Sequence, residues 1–100
     1  MDLEHITNLY KTKYIFRTIP ELREGLRNKP KLAPDEIALF EFSDEAHRFF
    51  WNLGVDYKLK LYFFDADKKL NGTAILKPQQ TQHVSSHYPA KYVIERALND

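Results

Sequence analysis

Residues 48 to 65 read Arg48-Phe49-Phe50-Trp51-Asn52-Leu53-Gly54-Val55-Asp56-Tyr57-Lys58-Leu59-Lys60-Leu61-Tyr62-Phe63-Phe64-Asp65. This stretch holds the only tryptophan of the chain, with four phenylalanines and two tyrosines. From Lys58 onward it alternates. Leu59, Leu61 and Phe63 point one way, and Lys58, Lys60 and Tyr62 the other, which is the period of a half-buried strand. Side chains as large as Trp51 dominate burial in a small domain, so Trp51 is expected in the core beside this strand. Trp51→Ala is then expected to cost about 3 to 5 kcal/mol.

Downstream, Asp65-Ala66-Asp67-Lys68 and Asn71-Gly72 compete as hairpin turns into a strand from Leu70 to Leu76. They imply different registers, and the first is preferred. Pro78 to Pro89 is polar and reads as an exposed loop. Lys91 to Leu98 fits a helix through Val93, Ile94, Ala97 and Leu98. It equally fits a strand with Tyr92, Ile94 and Arg96 opposite Val93, Glu95 and Ala97.

Upstream, Ile37 to Phe42 reads as a strand, with Ala38, Phe40 and Phe42 opposite Ile37 and Leu39, followed by a polar turn over Ser43 to His47. Thr18-Ile19-Pro20-Glu21 is a capping box with proline in the first turn. It opens a helix of about two turns that closes near Asn28 and is too short to stand without packing on the sheet. Lys13 to Thr18 alternates as a strand. Residues 1–12 read as an arm, where Leu3, Ile6 and Leu9 could line a short helix or Ile6 to Tyr10 extend a strand. Such an arm is ordered only if something holds it.

One hundred residues make one domain, 1–100, with the arm at 1–12 and a β domain at 13–98. The absence of cysteine excludes a disulfide framework and thiolate zinc sites and suits a reducing compartment. No secretory signal or membrane-spanning run is legible, so the expected location is the cytoplasm. A net charge of +1 argues against nucleic-acid binding. The charge is uneven, however. Lys11 to Lys31 carries seven basic and two acidic residues, and Leu32 to His47 carries five acidic and no Lys or Arg. The two segments either neighbour each other and cancel or leave a bipolar surface for other chains.

Thr18, Glu21, Gly25 and Leu26, then Leu39, Phe40 and Phe42, then Phe50 and Trp51, then Leu59, Phe63 and Asp65, and finally Ile94 and Glu95 fall in a recognisable order. The order resembles the prokaryotic family catalogued as domain of unknown function 192. That family's usual pattern runs T-x-x-E-x-x-x-G-L-M, G-M-L-F-x-F, F-W-M-K-N-T, P-L-D-x-x-F-x-D and a late V-L-E-V. The resemblance covers residues 13 to 98. It implies a mainly β fold, a small antiparallel β-sandwich or jelly-roll-like barrel with one short N-terminal helix, and favours the strand for the last segment. The departures fall on polar positions. Asn52, Leu53, Gly54 and Val55 replace M-K-N-T, Lys60 replaces an aspartate, and Arg27 replaces a methionine.

Each chemical candidate has a plainer reading. Asp65 and Asp67 fail the calcium-loop pattern, because Lys69 and Leu70 stand where a ligand and a glycine are needed, and they read as turn formers. His83 and His87 have the spacing of zinc ligands on a helix but lie in a loop. No catalytic residue, metal or cofactor is assigned. The partner-binding candidates are Lys58, Lys60 and Tyr62, on the presumed outer face and edge of the central strand, with Phe50 and Phe64 on the phase opposite the core set. The expected function is a non-enzymatic protein-binding or structural module that engages other chains or copies of itself. The alternative is a small-molecule pocket or weak hydrolase near Trp51 using His47, Asp65 or Glu95.

Overall fold

The computed structural model describes residues 1–98; Asn99 and Asp100, which the single-domain reading includes, lie outside the described residues. The elements are α1 (Leu3–Leu9), β1 (Lys11–Phe16), α2 (Ile19–Glu24), β2 (Glu36–Ala46), β3 (Phe49–Phe50), β4 (Leu59–Phe64), β5 (Leu70–Leu76), β6 (Val84–Ser85) and β7 (Ala90–Ala97). Five strands form one sheet in the order β1-β2-β7-β4-β5, and β3 pairs with β6 as a small ribbon. The fold is mainly β, as expected. Within it β1 joins β2 in parallel, so the large sheet is mixed rather than purely antiparallel. The radius of gyration, 12.2 Å, is close to the roughly 13 Å of a domain this size.

Alternation along each strand sorts the interior into two layers. Phe40, Leu59, Leu61, Phe63 and Val93 face one layer together with Phe16, Leu26 and Leu76. Ile37, Leu39, Tyr62, Phe64, Tyr92 and Ile94 face the other, which α1 covers with Leu3 and Ile6. The arm is thus a helix held by its own chain. Its backbone is tied at Leu3 N–H to Lys68 O, 2.9 Å, and at Met1 O from Leu70 N–H, 3.1 Å. Leu9, expected on the buried face, is exposed.

α2 carries the capping box that the sequence spells. Thr18 Oγ1 accepts from Glu21 N–H, and Glu21 Oε1 accepts from Thr18 N–H, 3.0 Å. The second bond, with help from Arg17, holds the Glu21 carboxyl below its ordinary range. Thr18→Ala should cost about 1 kcal/mol by urea denaturation, the usual price of losing an N-cap. The helix ends at Glu24 rather than Asn28, because Gly25 takes φ +55°. A Cβ there would also lie 3.3 Å from the Phe40 ring.

The Asp65 turn is the one the chain uses. Asp65 Oδ1 accepts from Asp67 N–H and Lys69 N–H, both 2.9 Å, and Lys68 sits at φ +64°. The last segment is a strand and the middle one of the sheet, since the Glu95 register joins Ala38 on β2 and Leu61 on β4. The expected turn at Ser43–His47 is replaced by strand as far as Ala46, with an irregularity between Glu41 and Ala46. Parallel pairing also settles the charge pattern. It brings Lys13 Nζ to 3.6 Å from Glu36 and Arg17 Nε to 3.2 Å from Glu41, so the basic and acidic segments partly cancel.

Three expectations about burial are corrected. Trp51 is 43% exposed and follows a two-residue strand off the main sheet, so it lies at a surface and not in the core. β4 lies between β7 and β5, so Lys58, Lys60 and Tyr62 guard no edge, and Tyr62 is buried. Phe64 is fully enclosed, and Phe50 is half-buried edge-to-face on Phe40 at 5.3 Å. Because both faces of the sheet are covered, the phase opposite the leucines is interior too.

Candidate functional site

A cleft of about 340 Å³ opens on the α2 side of the sheet. α2 and the turn after it form one wall, through Leu22, Arg23 and Arg27. Phe49, Phe50, Trp51 and the 52–55 turn form the opposite wall. Phe40, Phe42 and Glu95 line it from the sheet, and His47, Arg48 and His83 complete the rim.

Buried polar bonds hold this wall in place. Asn52, 1% exposed, donates from Nδ2 to Tyr57 O at 2.8 Å and to Lys77 O at 2.9 Å. The turn it pins lets Gly54 adopt φ +83° beneath the Arg27 stem, where an added Cβ would be 2.9 Å from Arg27 Cδ. Arg48 N–H donates to Ser86 Oγ at 2.8 Å, and Arg48 Nε donates to Ala90 O at 2.9 Å. The Arg48 guanidinium also lies 3.8 Å over the Phe42 ring and pairs with Asp44. His47 Nδ1 donates to Ser86 O at 3.1 Å, since a carbonyl can only accept, and Nε2 has no hydrogen bond among the described residues. The Trp51 indole stacks on the His83 ring, centroids 5.0 Å apart and 11° from parallel.

Glu95 is the chemical anomaly of the site. It is 4% exposed and sits on β7 between Val93 and Ala97, with Ala38 and Leu61 as cross-strand neighbours. Among the described residues it makes no hydrogen bond or ion pair. Burial pushes its carboxyl up to about 8. At neutral pH it is therefore a protonated acid, able to donate one hydrogen bond and accept others. Tyr57 is also raised, mainly by burial and in smaller part by the Glu95 charge.

The sequence candidates separate cleanly. His47 and Glu95 line the same cleft without bonding each other, whereas Asp65 is used up in its turn and lies outside it. His83 backs Trp51, and His87 is exposed in the same loop. Of the partner-binding candidates only Phe50 reaches the cleft. Lys60 lies over the Tyr62 ring, and Lys58 is half-buried. Arg23, Arg27 and Asn52 were not legible as site residues, because only the tertiary fold carries α2 to the Trp51 turn. Arg48 has a weak signal in its place before three aromatics.

The family model for domain of unknown function 192, described as an uncharacterised group, matches residues 10–99. The chain belongs to this family. As a member of domain of unknown function 192, it keeps the family's phenylalanine–tryptophan pair at the cleft mouth and its late glutamate inside. Two solved structures share the fold. One, from Sinorhizobium meliloti 1021 and described as a proposed transcription regulator, is 21% identical with a TM-score of 0.78 over 83% of this chain and 65% of that one. The other, a protein of unknown function from Novosphingobium aromaticivorans DSM 12444, is 20% identical with a TM-score of 0.80 over 88% and 63%. The chain thus spans less than two thirds of either. No curated protein matches it. Among the described residues, no helix is long and apolar enough to cross a membrane.

Proposed function

We propose that this domain binds a small organic molecule in the cleft beside Trp51. The observation that carries the reading is Glu95, whose carboxyl lines the cleft and makes no side-chain hydrogen bond or ion pair among the described residues. A bound molecule with a donor or acceptor at that depth would give the carboxyl a hydrogen bond that the protein does not supply. The volume falls at the small end of the roughly 300–1,000 Å³ typical of ligand sites. The lining offers no hydroxyl, thiol or amine nucleophile, which favours binding over turnover. A chain without cysteine suits a reducing compartment, so the proposal sets this binding in the cytoplasm.

An amide-resolved NMR titration with a fragment set of neutral, anionic and cationic compounds tests the reading. Shifts should gather at Gly25, Trp51, Asn52 and Glu95. A set in which every fragment leaves these four amides unmoved refutes it.

Docking of another chain, or of a second copy, is the other reading. It is favoured by Phe49, 65% exposed, beside the exposed Leu53 at the cleft mouth. Sedimentation across a hundredfold concentration range checks the second copy, and a constant monomer mass would remove it.

A further inference from the structure

We infer that the ligand of the cleft is a small organic anion, with a planar apolar body along the aromatic wall and its charged end between Arg23 and Arg27. This rests on reading the cleft as a binding site and adds the class of ligand. Three guanidiniums line the cleft, but they are not equivalent. Arg48 is engaged by Asp44 and by Ala90 O. The Arg23 and Arg27 guanidiniums have no hydrogen bond or ion pair among the described residues. The acid beside them, Glu24, is drawn to Lys29 Nζ at 3.8 Å. Glu95 adds no negative charge near neutral pH, because burial keeps it protonated.

The cleft mouth therefore carries two uncompensated cations, and a concave apolar site concentrates their field. A guanidinium matches the oxygens of a carboxylate or phosphate in a forked, charge-assisted geometry. The position of Arg27 is built in, because its stem crosses the turn at Gly54, which has no Cβ to obstruct it. Along the wall, Phe40, Phe50 and Trp51 offer apolar surface, and the buried Glu95 acid can pair with a hydroxyl or carbonyl at the inner end of the ligand.

Three probes of one shape and different charge decide the matter: 4-hydroxyphenylacetate, 4-hydroxyphenylacetamide and tyramine. Trp51, the only tryptophan, reports occupancy by its fluorescence excited beyond phenol absorption. The acetate should bind at least about tenfold more tightly than the amide, as a net charge-assisted pair implies. Arg23→Gln with Arg27→Gln should bring the acetate down to near the amide's affinity and weaken the amide far less. An amide or amine that binds as tightly as the acetate overturns the anion assignment while the cleft reading stands. An acetate preference that survives the double substitution overturns the role of the two arginines. If none of the three moves Trp51 fluorescence or the cleft amides, the anion assignment fails, and the binding reading stands or falls separately with the fragment titration.

Discussion

Between pH 4.5 and about 8 the domain should lose stability steadily, and Glu95→Gln should abolish that loss. Over this range the unfolded chain has released the Glu95 proton, while the folded one still holds it. Folding then takes up a proton, and stability falls as pH rises, by about 1.4 kcal/mol per unit. The contribution is complete below pH 4.5 and gone above about 8. Summed over the window it reaches about 5 kcal/mol at most, a large part of the roughly 5 to 15 kcal/mol available to a small domain. Glu21 and Glu36, whose carboxyls are held low chiefly by backbone amides, act in the opposite sense and below this window. Urea denaturation from pH 4.5 to 8.5 provides the measurement. A stability that stays flat while Glu95→Gln matches it at every pH would mean that Glu95 is solvated or paired.

Phe63→Ala should cost about 3 to 5 kcal/mol and leave the domain near the edge of folding. The ring is 1% exposed, meets Phe50 at 6.1 Å, and packs beside Gly72. Trp51→Ala, by contrast, should cost only about 1 kcal/mol. It removes a half-open side chain whose main contact is one stacked histidine. Denaturant midpoints compared at constant slope separate the two. A tryptophan variant weaker than the phenylalanine variant would place the indole in the core after all.

The fold was legible wherever a local pattern has one physical solution. The capping box at Thr18 and Glu21, the alternation of Leu59, Leu61 and Phe63, and the Asp65 turn each name their structure directly. The last strand was ambiguous in the residues alone, and the family resemblance decided it. Trp51 was misread because size and apolarity argue for burial without saying which layer has room. The tryptophan follows the β3 ribbon, outside the main sheet. The same gap hid the site. Glu95 was legible as an acid on the apolar phase of Val93 and Ala97, but its lack of a partner depends on Ala38 and Leu61 from two other strands. Arg23 and Arg27 face Trp51 across the cleft only through packing of segments about a quarter of the chain apart.

The place of β7 has a consequence for how the protein is made. Until residues 90–97 have been synthesised, β1 with β2 and β4 with β5 are two separate strand pairs, and isolated pairs are marginal in water. Truncation before Ala90 should therefore abolish the sheet rather than trim it. The nascent chain must keep two apolar, unpartnered strand edges soluble until the strand that joins them emerges.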